Sequence, residues 1–325
     1  RALEARLHGR RARVLEVHRA ELILGLALLS AIVALANTLH ASYRVQREQL
    51  IDHALEANRV YATKLATITE TFIGNALQQL SFSAGVQGHQ LSDAAALQVE
   101  TDRVLGQSMA FNSTFVIDAN AVLLAISPAS LRHFVGTRMQ SPGAQEALHE
   151  RRPLVSTPYL SAANNLVVVL SHPIFDDNGR YLGYVGGSLY LRERNILNSL
   201  LGEHFYKDGS YLYVVDRNRR LLYHPNSQRV GTVVEGNALV DQLATLDSGT
   251  RQLTNSQGVE MLAGYATVPS AGWGVVAQQP LAQTVTPLSH LILNVIGTSA
   301  PFALVGSLLL WWLALTLARP LWQLA

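Results

Sequence analysis

Two long segments without a charged residue stand out in the hydropathy pattern of this chain. The first runs from Leu22 to Leu39 and the second from Leu291 to Ala318. Eighteen helical residues extend for roughly 27 Å, close to the hydrocarbon thickness of a bilayer. We therefore predict membrane helices over 21–40 and 288–318. A signal peptide is the alternative for the first segment, but no small-residue cleavage site follows it.

Between these segments the pattern is first helical. From residue 41 to about residue 88, apolar residues such as Leu65, Ile68 and Phe72 recur at helical spacing and no proline interrupts them. This spacing predicts a long stalk helix. A second helix is expected over 93–106 with Ser92 as its N-cap, so that 41–112 forms a helical region.

Two later stretches resemble each other. Phe115–Leu124 and Tyr213–Leu222 each place a strand ending in Asp before an x-Asn-x turn and a second strand. Asp and Asn favour such turns because their side chains bond to the nearby backbone. The offset of 98 residues predicts a duplicated unit, one copy over 113–191 and the other over 209–287, joined by a connecting helix within 192–208.

Strand hairpins complete each copy. In the first, Asn165–Phe175 and Tyr181–Leu191 are separated by Asp-Asp-Asn-Gly-Arg, and Asn-Gly is a strong hairpin signal. We interpret these acidic residues as a turn rather than a calcium loop, because the late Glu of such a loop is missing. In the second copy we predict strands over 249–253, 259–265 and 273–279. Antiparallel strands with flanking helices indicate an α+β fold.

Composition and charge bear on location. Charged residues make up 15% of the chain, against roughly 25% in soluble domains. Cysteine is absent, which excludes disulfides and thiol catalysis, and a net charge of +2 gives no field for nucleic acid. Arginines precede the first span, so the positive-inside rule places 1–20 and 319–325 in the cytoplasm. We expect a two-pass protein of the bacterial inner membrane with 41–287 in the periplasm.

The arrangement resembles the double Cache (tandem PAS-like) sensors of bacterial receptors over roughly 45–285. The matching stretches include Pro153-Leu-Val-Ser-Thr-Pro-Tyr159, Gly183-Tyr-Val-Gly-Gly-Ser188 and Tyr211-Leu-Tyr-Val-Val-Asp216. The resemblance implies an α+β fold in which two membrane helices flank a long stalk helix and two tandem PAS-like (Cache) units with antiparallel sheets. It also implies that the first, membrane-distal unit binds a small molecule. We expect a homodimer through the stalk helix, because receptors with two spans signal by changing the packing between protomers.

The candidate ligand-contacting residues of the first unit are aromatic, hydroxyl-bearing or basic. They are Phe115, Arg132, Arg138, Tyr159, Ser171, His172, Tyr184 and Ser188. Either arginine suits a carboxylate or phosphate, the alternative being an exposed loop arginine. Gly186 and Gly187 leave space on their strand for a ligand or a helix.

The amino-acid-binding subset of the resembled family uses Arg-x-Trp-Tyr, a Tyr on the next strand and an Asp on the last strand. Here the aligned stretch is Ser-Pro-Gly-Ala over 141–144, Tyr159 matches the strand Tyr, and Ser188 stands where the Asp is expected. A ligand ammonium group would therefore be buried without a carboxylate, which is costly. We expect no amino-acid sensing by that mode.

No catalytic motif such as HExxH, GxSxG or a P-loop occurs, so we expect no active site in these residues, no metal and no cofactor. The segment 319–325 resembles the opening of a HAMP linker. The expected function is small-molecule sensing and signalling to a cytoplasmic output domain beyond residue 325, a diguanylate cyclase (GGDEF) that makes cyclic di-GMP. A histidine kinase or chemoreceptor output, or a binding module for a periplasmic partner protein, are the alternatives.

Overall fold

The computed structural model describes residues 2–107, 110–202, 208–237, 239–241, 243 and 248–318. The predicted linker 319–325 and part of the predicted connecting helix, 203–207, lie outside the described residues. The helices are α1 (Ala2–Gly88), α2 (Ala94–Gln107), α3 (Pro142–Glu150), α4 (Ile196–Leu201) and α5 (Leu281–Ala318). The strands are β1 (Ser113–Asp118), β2 (Leu123–Ser127), β3 (Leu154–Val155), β4 (Tyr159–Leu160), β5 (Leu166–Phe175), β6 (Tyr181–Tyr190), β7 (Tyr211–Val215), β8 (Leu221–Tyr223), β9 (Ser248–Thr254), β10 (Glu260–Val268) and β11 (Trp273–Pro280).

The strands form two antiparallel sheets, which confirms the predicted α+β fold. The first sheet has the order β2-β1-β6-β5-β3, with β4 also paired to β5, and the second has the order β8-β7-β11-β10-β9. In both sheets the opening hairpin sits beside the last strand of its unit. The two sheets therefore share one topology, as a duplication requires.

The opening hairpins of the two sheets also share their turn chemistry. Asp118 Oδ1 accepts the backbone N–H groups of Asn120 and Val122 at 2.9 and 2.7 Å. Asp216 Oδ1 accepts those of Asn218 and Arg220, again at 2.9 and 2.7 Å. The same Asx-type turn thus closes both hairpins, for the reason that the sequence predicted.

The start of α2 differs from the prediction. Asp93, not Ser92, caps the helix, because Asp93 Oδ1 accepts the N–H groups of Ala95 and Ala96 at 3.0 Å each. The connecting segment is helical over α4, where Asn195 and Asn198 form a reciprocal capping box. The three strands predicted for the second unit are present: β9 is one residue longer at each end, β10 begins one residue later and ends three residues later, and β11 ends one residue later.

One hydrophobic core joins α1 to both sheets. Residues 53–283 form a compact unit, and α1 contributes Ile73 and Leu80 to a cluster that includes Val168 of the first sheet and Val275 of the second. At Gly264 of β10, the backbone of α1 packs directly against the strand, and the Asn58 side chain donates to Leu262 O at 2.8 Å. Each sheet therefore packs one face against α1. Its other face carries a separate hydrophobic cluster.

The described residues at the two ends of the chain, 2–52 and 284–318, belong to the other compact unit. Among the described residues, two helices, α1 and α5, contain a stretch that is long and apolar enough to cross a membrane. Side chains such as Leu29 and Phe302 in these segments are exposed rather than packed. Exposed apolar side chains over this length suit a lipid surrounding.

Candidate functional site

The face of the first sheet that points away from α1 lines a cavity of about 70 Å³. Side chains of β6 alternate strictly, so that Tyr184, Ser188 and Tyr190 lie on the cavity side while Val185 and Leu189 face α1. Since a single water needs roughly 10–15 Å³ by this measure, the cavity holds about five water-sized groups. Its size fits a small molecule.

Hydroxyl groups and apolar side chains make up the wall, and none of the residues lining the cavity in the described part of the chain carries a charge. Burial raises the pKa of Tyr159 to about 12. Burial also raises the pKa of Tyr184 well above 10, and the neighbouring Tyr159 and Tyr181 add to the effect. Both phenols therefore stay protonated at physiological pH and act as neutral donors or acceptors.

The loop before α3 closes one side of the cavity. Ser141 precedes the helix, and Ser141 and Ala144 line the wall beside Tyr159. Gly143 lies against the Tyr159 ring, with no room for a side chain between them. The stretch that aligns with the Arg-x-Trp-Tyr motif thus does reach the cavity, but it brings only small residues there.

Four of the eight predicted ligand contacts lie in this wall: Phe115, Tyr159, Tyr184 and Ser188. Phe115 and Tyr184 meet edge to face with their ring centroids 6.1 Å apart. Ser113, which pairs with Ser188 across β1 and β6, also lines the cavity. Tyr190 could have been predicted, because it lies an even number of residues from Tyr184 on the same strand. Ser113 could have been predicted from its pairing with Ser188.

The other four predicted contacts lie outside the wall. Arg132 is exposed and donates to Asp102 Oδ2 at 2.8 Å, so its charge is already paired. The Arg138 side chain is exposed, and its backbone forms an isolated antiparallel β-bridge with Val122. Ser171 is buried but not part of the wall, and His172 is half-buried with its Nδ1 within 3.0 Å of Pro173 O.

The two glycines of β6 make room for protein rather than for a ligand. Gly186 faces the Phe115 ring and Gly187 faces the Phe111 ring, each too closely to accept a Cβ atom. Phe115 pairs with Gly186 directly across the strands. The glycine at 186 thus lets the Phe115 ring lie flat on the sheet and form one wall of the cavity.

Comparison with known families gives one match over most of the chain. The family model dCache_1, a Cache domain, matches residues 42–288. None of the curated proteins matches this sequence.

Solved structures share the fold at low sequence identity. The extracellular domain of the histidine kinase mmHK1S-Z3 has a TM-score of 0.58 and 14% identity, covering 75% of this chain and 98% of that one. An extracellular ligand binding receptor from Desulfohalobium retbaense has a TM-score of 0.56 and 13% identity over 67% of this chain. The match spans 39% of that receptor chain. The ligand binding domain of the Pseudomonas aeruginosa amino acid chemoreceptor PctC, in complex with GABA, has a TM-score of 0.51 and 18% identity, covering 67% and 96% of the two chains.

Proposed function

This chain belongs to the Cache domain family, and we propose that it is the sensory part of a two-pass bacterial membrane receptor whose first sheet binds a small extracytoplasmic molecule. The observation that carries the proposal is the cavity on the outer face of that sheet, walled by Phe115, Tyr159, Tyr184 and Ser188. Apolar cavities with a few convergent polar groups are the usual form of small-molecule sites.

The ligand proposed for this cavity is small, neutral and largely apolar, with one or two groups that hydrogen-bond to hydroxyls. Among the described residues, the wall offers phenol and serine hydroxyls but no charged side chain. A zwitterion would leave both of its charges unpaired in a buried site, which costs several kcal/mol. The likeness to PctC, whose structure is a complex with GABA, therefore supports a shared fold but not a shared ligand.

We further propose that both termini lie in the cytoplasm, because arginines such as Arg6, Arg10 and Arg11 precede the first span. The receptor acts as a homodimer through α1, and signals to an output domain beyond residue 325. A diguanylate cyclase is one such output, and the likeness to sensor domains of a histidine kinase and of a chemoreceptor supports those two outputs equally.

The test is a thermal-shift screen of the detergent-solubilised chain against a library of neutral metabolites and amino acids. A ligand at 100 times its Kd stabilises the folded state by about 2.7 kcal/mol. We expect stabilisation by one class of neutral molecules and none by amino acids. A clear shift with any amino acid would contradict the proposed ligand class.

Two buried serines on paired strands provide a matched control. Ser188 is 5% exposed and lines the cavity, whereas Ser171 is 1% exposed and does not. Ser188→Ala and Tyr159→Phe are expected to reduce the ligand-induced shift, and Ser171→Ala to leave it unchanged. Equal loss in Ser188→Ala and Ser171→Ala would place the ligand elsewhere, and a folded chain without any hit would favour a protein partner.

A further inference from the structure

The wall of the first-sheet cavity has two chemically different sides. Its leucine, isoleucine, phenylalanine and methionine side chains come from β1, β2 and the segment that follows β2, and include Ile126, Leu131 and Phe134. Its hydroxyl groups come mainly from β6 and β4, and from Ser113 at the start of β1. In the sheet, β2 and β1 lie on one side of β6, whereas β5 and its partner β4 lie on the other. A ligand with one apolar and one polar end therefore fits in one orientation.

Two serine hydroxyls on the polar side have no partner in the protein. Ser113 and Ser188 lie opposite each other on β1 and β6, and both are buried. The described residues offer neither hydroxyl a hydrogen bond. The neighbouring Thr114, by contrast, donates its hydroxyl to Thr101 O at 2.8 Å. Because buried hydroxyls are normally hydrogen-bonded, the occupant of the cavity is expected to bond to both serines.

The position of the two serines indicates the functional group that they hold. Directly opposite residues on antiparallel strands have Cβ atoms about 4.5–5.5 Å apart, so that Ser113 and Ser188 can contact one group together. Each hydroxyl both donates and accepts. A carboxamide presents an acceptor oxygen beside a donor nitrogen, and it satisfies both serines without a charge. A carboxylate of the same shape would bring a charge that no described side chain of the wall balances.

The volume of the cavity limits the length of the ligand. About 70 Å³ holds about five water-sized groups. The carbon, oxygen and nitrogen of a carboxamide head occupy three of these, which leaves space for a tail of about two carbons. Such a tail extends from the serines towards the apolar side of the wall.

We propose that the first-sheet cavity binds a short aliphatic carboxamide, with its head between Ser113 and Ser188 and its tail against Ile126 and Leu131. This assignment rests on the sensing function proposed above, and it names the chemical class and the orientation of the ligand. Leu131 limits the length of the tail, because it lies half-buried at the apolar side of the wall.

The experiment is isothermal titration of the detergent-solubilised chain with propionamide, sodium propionate and butan-2-one. The three probes have nearly the same shape, but propionate adds a charge and butan-2-one lacks the N–H donor. The small size of these molecules limits the Kd to the micromolar range or weaker, which titration measures. We expect saturable binding of propionamide, several-fold weaker binding of butan-2-one, and no saturable heat with propionate.

Serine variants test the head group. Ser113→Ala and Ser188→Ala each remove one hydrogen bond and are expected to weaken propionamide binding about 3- to 10-fold. They are also expected to reduce the preference for propionamide over butan-2-one. Ser171→Ala is the control, since Ser171 is a buried serine of the same sheet outside the wall.

Leucine variants test the tail. Leu131→Ala is expected to bind pentanamide about 10-fold more tightly than wild type does, because two further carbons are buried in the space of the lost side chain. Leu124→Ala is the matched control, since Leu124 is also half-buried but packs against the α1 cluster and lies outside the wall. Should Leu131→Ala fail to fold, Ile126→Val removes one carbon from the same side and is expected to favour butanamide about 3-fold.

Three results would overturn the proposal. They are propionate binding as tight as that of propionamide, unchanged propionamide affinity in folded Ser113→Ala and Ser188→Ala variants, and no saturable heat with any amide, as expected of a cavity that holds only ordered water. The sensing function still stands in each case if the library screen yields another neutral ligand whose effect Tyr159→Phe reduces. A screen without any such ligand would overturn the sensing function as well.

Discussion

The contact between α1 and the second sheet can be tested with a single methyl group. Gly264 lies on β10 directly beneath α1, and a Cβ atom at this position would clash with Arg59 N, Asn58 C and Arg59 Cα. All three are backbone atoms of a helix, so none can rotate away. The substitution Gly264→Ala is therefore expected to push α1 off the sheet.

The magnitude follows from two terms. Overpacking of this kind costs about 1–3 kcal/mol. A displaced helix also breaks the buried hydrogen bond from Asn58 Nδ2 to Leu262 O, worth about 1 kcal/mol. The sum is about 2–4 kcal/mol, and for a unit of this size each kcal/mol lowers the unfolding midpoint by about 2–4 °C. We expect Gly264→Ala to lower the midpoint by about 4–16 °C.

The assay is thermal unfolding of the detergent-solubilised chain, followed by tryptophan fluorescence, because Trp273 of the second sheet is 1% exposed. Gly74→Ala is the matched control. Gly74 lies within α1 with open space around its Cα, and alanine is favoured over glycine there by about 1 kcal/mol. A midpoint for Gly264→Ala within about 2 °C of wild type, which corresponds to about 0.5 kcal/mol, would refute the direct packing of α1 on β10.

Three other outcomes are expected. His224 has a pKa of about 4 when folded and about 6.5 when unfolded, so stability is lost as the pH falls from about 6.5 to 4. After allowance for partial exposure the loss is about 1–2 kcal/mol, and His224→Gln should lose less than wild type between pH 7.5 and 4.5 in thermal unfolding, by about that amount. Asp216→Ala removes two backbone hydrogen bonds and is expected to cost about 2 kcal/mol in chemical denaturation, and an unchanged midpoint would contradict the role of this turn. Arg132→Ala breaks an exposed pair with Asp102, and should cost less than about 1 kcal/mol and leave ligand binding to the first sheet unchanged in calorimetry, whereas lost binding would return Arg132 to the site.

Elements set by local chemistry were predictable from the sequence. The two opening hairpins follow from Asp118 and Asp216, because an Asx-type turn needs only residues within four positions of each other. The N-cap of α2 was placed one residue early, since Ser92 and Asp93 are both good capping residues. Only the position of the backbone N–H groups decides which of them caps the helix.

The candidate site was predictable only in part, because its wall depends on contacts that are distant in sequence. Tyr159 and Ser188 follow from the family resemblance, because they align with the Tyr and Asp strand positions of the amino-acid-binding subset. Arg132 suited an anion by its chemistry, but its partner Asp102 lies 30 residues earlier on α2. Likewise, Gly186 gave no sign that Phe115 would cover it, since that depends on the register between β1 and β6.

The shared packing of both sheets on α1 has a thermodynamic consequence. A ligand that alters how the first sheet packs on this helix contributes a free energy to a conformational equilibrium that the second sheet shares. Linkage then requires reciprocity: whatever ligand binding does to the packing of the second sheet on α1, a change in that packing does to the ligand affinity by an equal factor. Substitutions in the second sheet, far from the cavity, are therefore expected to change the ligand affinity of the first.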